Sequence, residues 1–403
     1  MSPDARAARQ AALLRAAVRH AYERVPFYRR LWDEGGFDPD RVRGPEDLER
    51  MPVLPARLAR AGIRRGELLA RDADAGRMPS FPTSGSGGQR LQVPRGAAEQ
   101  RLWRAGGLRI WLEHGYRPWH ATVQLDPHPK PPHPLQRLGL ARTEWISTEL
   151  PVEQQVAQLA RARAGVVAGT PTALRRVARA IDESGDEVTR PRIVFCQGEV
   201  LDPWTSALIR RVLGTAPVGV YGLTELGYVA WQCERRDGYH VNADTCVVEV
   251  VRDGRPAGAG EVGTVLVTDL RGRTAPLLRY ETGDLAVAAR APCPCGRTLP
   301  LLRSVEGRAR DAVALRDGRL VTTRGLLDHM DVALAPDRYA LVRHGGGLRL
   351  HLEAPAEAGA VERLRGLLGK VELDVVAGVP RAASRDKSQP LRAAVTAAPP
   401  GAP

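Results

Sequence analysis

The sequence predicts an α/β protein of two units: a large N-terminal unit built on a parallel sheet with a β-rich section, and a small α+β unit at the C-terminus. Three observations carry this reading. Strand-like and helix-like segments alternate between residues 166 and 221, and short β-type runs alternate with glycine-containing turns between 247 and 288. After Arg308 the pattern changes to short helices mixed with hairpins. The 403 residues leave room for two or three domains, each with a sizeable core.

In chain order, residues 8–34 read as helix, with Leu14, Val18, Ala21 and Val25 on one face, a break at Pro26 and a stop at Gly35-Gly36. Residues 76–96 form a Gly/Ser/Pro-rich loop, and 126–134 are too proline-rich for a helix or an interior strand. An apolar run at 166–168 is followed by Gly169 and by Thr170-Pro171, an N-cap and first helical position, with a helix to about Glu183. A strand at 193–196, a turn at Gly198, a helix opened by Asp202-Pro203 and ended by Gly214, and a strand at 217–221 complete the alternation. Such an order predicts parallel strands with right-handed crossovers. Ligands in these sheets sit beyond the carboxyl ends of the strands, so Gly198-Glu199 and residues 222–225 are expected on one rim. Residues 247–288 read as antiparallel or barrel-like. Beyond Arg308 the reading is a hairpin at Asp317-Gly318, a helix over 324–334, a hairpin across 345–347, a helix over 355–368 and a strand at 371–376. The expected boundaries are 1–309, 310–392, and an Ala/Pro/Gly tail at 393–403 without regular structure.

Composition excludes several classes. The longest stretch without Asp, Glu, Lys or Arg is the 13 residues from 212 to 224. A membrane helix needs about 20, so no membrane span is expected. Arginines interrupt the first 20 residues, which therefore do not read as a signal peptide. Five cysteines, an odd number, make no disulfide framework, and the chain reads as cytoplasmic. The net charge is +13, yet only Lys130, Lys370 and Lys387 are lysines among 59 basic residues. Arginine scattered along the whole chain, without a basic block and interleaved aromatics, argues against a nucleic-acid partner and favours small anionic ligands.

The loop Phe81-Pro82-Thr83-Ser84-Gly85-Ser86-Gly87-Gly88-Gln89-Arg90 is rich in glycine and hydroxyls. Free backbone N–H groups and hydroxyls can wrap phosphate oxygens, with Arg90 adding charge, although a surface loop has the same composition. It is not the lysine-bearing GxxxxGK[ST] loop. Four further patterns follow: Tyr221-Gly222-Leu223-Thr224-Glu225, then Arg279-Tyr280-Glu281-Thr282-Gly283-Asp284-Leu285, then Gly307-Arg308-Ala309-Arg310-Asp311, and a lone lysine at Lys387 within 384–390.

Taken in this order, the motifs resemble those of the adenylate-forming (acyl-CoA synthetase-like) superfamily. The opening His20-Ala21-Tyr22 with Val25-Pro26-Phe27-Tyr28, and the stretch Cys293-Pro294-Cys295-Gly296-Arg297, are similar to the phenylacetate–coenzyme A ligase branch. The resemblance implies an adenylate-forming large domain and a small mobile domain that swings at Asp311. It implies that Thr83, Ser84, Gly85, Ser86, Gly87 and Gly88 cradle phosphate, that Tyr221 stacks on adenine beside Gly222, and that Gly198-Glu199 line the purine slot. Thr224 would contact phosphate, Glu225 would hold Mg²⁺, and Asp284 and Arg308 would bind the ribose. Lys387 would bridge the attacking carboxylate and the α-phosphate, stabilising charge that grows in the transition state. Read singly, Asp284 fits a turn after Gly283, Glu225 a helix-start acid and Lys387 a solvated lysine; their joint order does not follow from those readings. The family loop usually ends Thr-Thr-Gly-Lys, where this chain has Ser86-Gly87-Gly88-Gln89.

Cys233, His240, Cys293 and Cys295 would close a structural zinc site of three thiolates and an imidazole, although their spacings are not C-x₂-C. Cys196 and Cys246 read as core, and His114, His120, His128 and His133 as surface or pocket-lining residues. The implied reaction takes ATP, Mg²⁺ and a small carboxylic acid of aryl or arylacetic type to an acyl-adenylate, and then to a coenzyme A thioester. The alternatives are transfer to an amine or a carrier-protein thiol in natural-product (secondary) metabolism, or a nucleotide-binding protein that has lost catalysis. A monomer or homodimer is expected.

Overall fold

The structure, a computed structural model, describes residues 2–74, 76, 78, 80–82, 92–128, 130, 134–330, 339–352, 358–378 and 391–392. Among them the chain runs α1 (Pro3–Arg24), α2 (Pro26–Glu34), α3 (Ala56–Arg64), β1 (Ser80–Pro82), β2 (Gln92–Pro94) and α4 (Ala97–Glu113). It continues β3 (Thr122–Asp126), β4 (Thr143–Ser147), α5 (Val152–Ala162), β5 (Val166–Gly169), α6 (Pro171–Ser184), β6 (Ile193–Gln197), α7 (Pro203–Leu213) and β7 (Val218–Leu223). Then come β8 (Gly227–Trp231), β9 (Tyr239–Val241), β10 (Cys246–Arg252), β11 (Arg255–Pro256), β12 (Val262–Asp269), β13 (Tyr280–Ala288) and β14 (Leu301–Arg308). The last part holds β15 (Val313–Ala314), β16 (Leu320–Val321), α8 (Thr323–Met330), β17 (Tyr339–His344), β18 (Gly347–Leu352), α9 (Ala358–Leu368), β19 (Leu373–Ala377) and β20 (Leu391–Arg392).

One twelve-stranded sheet carries the large part, in the order β11-β10-β12-β13-β14-β9-β8-β7-β6-β5-β3-β4. From β4 to β7 neighbouring strands are parallel. The sheet changes hand of pairing at β7, which pairs antiparallel with β8. The expected alternation is thus present. The 247–288 section is antiparallel, but it continues the same open sheet and does not close a barrel.

Local chemistry explains the helix ends. The Thr170 hydroxyl accepts from the Ala173 N–H at 3.2 Å with Pro171 in the first turn, and Gly185 ends α6 in the left-handed region. Asp202 caps α7 at 2.6 Å in the same way, and Gly214 terminates it. Helices α5 to α7 bury Val156, Leu159, Leu174, Val177 and Ile209 against one face of the parallel strands. On the other face Ile110 of α4 packs with Phe195, Val218 and Trp231. Strand residues covered on both faces read as continuous apolar runs, which is why 166–168 and 193–196 were visible as strands.

Residues 313–373 have their own core, with Leu326, Leu341, Leu350 and Leu364 almost fully buried. Their four-stranded sheet runs β19-β18-β17-β20. The predicted hairpins at 317–318 and 345–347 are present. The tail at 393–403 lies outside the described residues. Among the described residues no helix is long and apolar enough to cross a membrane.

Candidate active site

The change of pairing at β7 creates the rim on which the motif residues meet. Strands β6 and β7 are parallel neighbours, so the segments that follow them leave the sheet on one edge. Strands β13 and β14 pair with Asp284 opposite Arg308, which aims both side chains to one face. The Tyr221 hydroxyl donates to Asp284 Oδ2 at 2.8 Å, and Arg308 Nε donates to Oδ1 at 3.0 Å. Arg308 Nη1 also donates to the Thr282 carbonyl at 3.0 Å. The Thr282 hydroxyl donates to the Val265 carbonyl at 2.9 Å and accepts from the Asp284 N–H, fixing the turn that Gly283 allows at φ +75°. Burial pushes the Asp284 carboxyl up from its ordinary range, while Arg308 and the Tyr221 hydroxyl pull it back. Tyr221 is held well above the usual phenol range, by burial first and by the adjoining carboxylate second.

Beside this corner, the Tyr280 hydroxyl donates to Glu225 Oε1 at 3.1 Å. Tyr280 is anchored because Leu54 bridges the adjoining backbone, accepting from the Glu281 N–H and donating to the Arg279 carbonyl. Thr224 and Glu225 lie in the tight turn between β7 and β8. A side chain at Gly222 would come within 2.8 Å of the Gly227 carbonyl, so only glycine closes this turn. Glu199 is on the same edge, but its carboxylate is taken up by α6: it accepts from the Thr172 N–H at 3.1 Å and the Thr172 hydroxyl at 2.5 Å. Asp311 is buried in a short turn directly after β14. Thr83, Ser84, Gly85, Ser86, Gly87, Gly88 and Lys387 lie outside the described residues. What flanks the loop is described: Pro82 pairs with Gln92, so β1 and β2 bring its two ends together.

Sequence reading did not find the pocket next to the Thr224–Glu225 turn. It is lined by Arg95, Glu99, Trp103, Leu226, Tyr228 and Asp269, among others. Its aromatic wall depends on two glycines, one on each facing segment. A Cβ at Gly107 of α4 would stand 2.5 Å from the Tyr228 ring, and one at Gly227 would stand 1.5 Å from Trp103 Nε1. Each glycine therefore admits the other element's ring, and Trp103 and Tyr228 stack with centroids 6.3 Å apart. No single-sequence signal marks such a pair, because it is a property of two surfaces in contact. Glu99 pins the helix start: it accepts from the N–H groups of Gly96, Arg273 and Thr274.

The four metal-ligand candidates do come together. Cys233 follows β8, His240 is on β9, and Cys293 and Cys295 lie between β13 and β14, with their ligand atoms all within 4.8 Å of one another. Cys233 Sγ and Cys293 Sγ are 3.7 Å apart, and Cys295 Sγ is 3.4 Å from His240 Nε2. Zinc bonds of about 2.3 Å to sulfur and about 2.0 Å to nitrogen give tetrahedral edges of about 3.8 and 3.5 Å. The donor set therefore fits that ion and not a disulfide. His240 Nδ1 is buried without a partner among the described residues. Burial pushes the Cys233 thiol up to about 11. Burial also acts upward on Cys295, but hydrogen bonds from the Arg297 backbone and side chain outweigh it and hold that thiol below its usual range. Arg297 is in turn fixed by Glu234 at 2.9 Å and Glu113 at 3.1 Å. Cys196 and Cys246 are buried core thiols, as expected. His114 is half-buried: its ring sits edge-on to Phe195 and Trp231, with its nitrogens against the Ile110 and Gln232 carbonyls.

No family model matches the chain. The phenylacetate-coenzyme A ligase of Thermus thermophilus is 31% identical over 336 residues, covering 77% of this chain and 72% of that protein. The enzyme of the same name from Escherichia coli is 28% identical over 335 residues, covering 78% of this chain and 74% of that protein. Among solved structures, 2-hydroxyisobutyryl-CoA ligase in the postadenylation state with 2-HIB-AMP superposes with a TM-score of 0.77 at 21% identity, covering 95% of this chain and 88% of that one.

Proposed function

The chain belongs to the phenylacetate–coenzyme A ligase family of ATP-dependent, AMP-forming ligases, and we propose that it activates a small carboxylic acid of aryl or arylacetic type and passes the acyl group to the coenzyme A thiol. The observation that supports this most is the meeting of Tyr221, Glu225, Tyr280, Asp284 and Arg308 on one rim, although the first and last are 87 positions apart in sequence.

In this reading the nucleoside sits at the Tyr221–Asp284–Arg308 corner. Tyr221 offers a ring face to the base, and Asp284 accepts from the ribose diol once the Tyr221 and Arg308 bonds rearrange. The phosphates extend toward Thr224, Glu225 and the Thr83–Gly88 loop. Thr224 would contact phosphate and Glu225 would hold Mg²⁺, a hard cation that neutralises phosphate charge when bound. The acid carboxylate attacks the α-phosphorus and pyrophosphate leaves. Lys387 supplies the cation between carboxylate and α-phosphate, because Arg308 is already committed to Asp284. The thiol of coenzyme A then attacks the acyl carbon, AMP departs, and the thiol proton is lost to solvent. Adenylation turns a poor leaving oxygen into a good one. We read the unit boundary near Arg308–Asp311, supported by the change of sheet there, with Asp311 as the hinge. Cys233, His240, Cys293 and Cys295 are assigned to structural zinc, and the enzyme to the cytoplasm as a monomer or homodimer.

The test is pyrophosphate release across an acid library, followed by mass spectrometry of the acyl product with coenzyme A present. Release with an aryl acid and a thioester product are expected. Release without a thioester would redirect the acceptor to an amine or a carrier-protein thiol. No release with any acid would overturn the reading.

A further inference from the structure

Arg95 immediately follows β2 and stands two residues before α4, with its side chain only 7% exposed. Its Nη2 donates to the Thr224 carbonyl at 2.8 Å, across 129 positions of sequence. Its guanidinium lies 4.8 Å from the centre of the Trp103 ring. Asp269, Glu99 and Glu225 are its acidic neighbours. Glu99 and Asp269 are also engaged by backbone: Glu99 by Gly96, Arg273 and Thr274, and Asp269 by the Arg271 N–H at 2.8 Å. Burying a guanidinium is costly unless its charge and donors are met. Here the charge is met by an acidic corner, and a donor is directed to a backbone carbonyl within the Thr224–Glu225 turn.

That location matters because of what flanks it. Strand β2 pairs with β1, and α4 carries the Trp103 wall, so Arg95 stands where strand end, helix start and turn converge. We propose that Arg95 is a positioning residue for the adenylation step: through the Thr224 carbonyl it fixes the Thr224–Glu225 turn against the end of β2 and the Trp103 wall. This rests on the reading of Thr224 and Glu225 as the phosphate and Mg²⁺ residues. Arg95 acts through another residue's backbone and does not touch the reacting atoms.

Attack on the α-phosphorus is sensitive to alignment, and a displacement of about 1 Å costs on the order of 10²-fold in rate. Thioester formation from a ready-made acyl-adenylate needs neither the departing pyrophosphate nor the metal carboxylate. The two half-reactions should therefore separate. Arg95→Met keeps the length and the packing on Trp103 but has no charge or donor, and Arg95→Lys keeps the charge and an N–H donor. Each is assayed for thermal stability, for ATP–pyrophosphate exchange (kcat and KM), and for thioester formation from supplied acyl-adenylate. Arg95→Met is expected to lose on the order of 10²-fold in exchange kcat. Its thioester rate should stay within about two-fold of wild type, and Arg95→Lys should recover part of the exchange loss. Equal losses in both half-reactions, or a loss in neither, would overturn the proposal. If Arg95→Met does not fold, Arg95→Lys decides alone: a loss confined to exchange supports the assignment and an equal loss refutes it. A wild-type chain that exchanges pyrophosphate with no acid removes the adenylation reading itself, and this proposal with it. A wild type that exchanges while its Arg95 variants do so unchanged removes only the proposal.

Discussion

The Tyr221–Asp284–Arg308 corner and the cysteine–histidine cluster both gather residues from distant segments onto the antiparallel half of the sheet, but they satisfy their polar atoms differently. At the corner each Asp284 oxygen has a protein partner, Tyr221 on one and Arg308 on the other. In the cluster the donors face each other, sulfur to sulfur at 3.7 Å and Cys295 Sγ to His240 Nε2 at 3.4 Å. The corner is a polar network closed within the chain, which a ligand must open to bind. The cluster is a donor set whose spacing fits a cation. One region should tolerate ligand removal, and the other should not.

The largest effect tests that contrast directly. Cys233→Ser should leave substoichiometric zinc and, through loss of a structural metal, cost more than about 4 kcal/mol of stability. Metal analysis of protein purified without added zinc, beside thermal denaturation of wild type and variant, checks it. A metal-poor wild type with the variant's melting temperature unchanged would dissolve the contrast.

Next, Lys387→Ala should lower adenylation on the order of 10²–10³-fold while leaving thioester formation from supplied adenylate largely intact. The corner explains why: its cation is paired, so the growing charge must be met from elsewhere. The check is an ATP-dependent assay beside an adenylate-fed one, and wild-type ATP-dependent activity in the variant would remove Lys387 from the step.

A smaller loss is expected at the corner itself. Asp284→Ala should weaken ATP binding by roughly 1.5–3 kcal/mol, the range for hydrogen bonds to a charged group, with the fold retained. Calorimetric titration measures it, and unchanged affinity in a folded variant would take Asp284 out of the site.

The smallest effect is a pH dependence beside the cluster. Burial, helped by Arg236 and Arg297, holds His114 below its usual imidazole range despite the two carbonyls at its nitrogens. The unfolded chain takes up this proton near pH 6.5 and the folded chain only at lower pH. Between those points protonation favours unfolding, so stability should fall as the pH drops below about 6.5. Urea titrations of wild type and His114→Gln should show a shallower fall in the variant; parallel curves would exclude His114 as the source.

Much of this was legible in the chain. The strands at 166–169 and 193–197 declare themselves as apolar runs bounded by caps and glycines, and the rim follows from their parallel order. Strands β3 and β4 and helix α5 are not legible in the chain, since 122–126 and 143–147 mix polar and apolar residues; β4 is an edge strand, and β3 is interior but carries Thr122 and Gln124. At the site, Tyr221, Glu225, Asp284 and Arg308 were visible because each sits in a compact motif. Arg95 was not, because its importance is a bond to a carbonyl 129 positions away, and in a chain with 56 arginines no single one stands out. The rings that half-bury His114 were hidden for a related reason: Phe195 and Trp231 are remote in sequence.

The crossed contact between Gly107 and Tyr228, and between Gly227 and Trp103, has a consequence for how this enzyme could diverge. Any side chain at Gly227 collides with the Trp103 indole, and Gly227 sits at φ +76°, so substitution there is penalised twice. The steric part is removed by a smaller residue at 103, and by nothing at 107 or 228. The four positions thus separate into two pairs in which the glycine is locked while its ring stands: 227 can change only once 103 has shrunk, and 107 only once 228 has. Drift along this wall is therefore ordered, ring first and glycine second. A library that randomises positions 103 and 227 jointly, and 107 and 228 jointly, would reach folded walls that single-site scanning cannot.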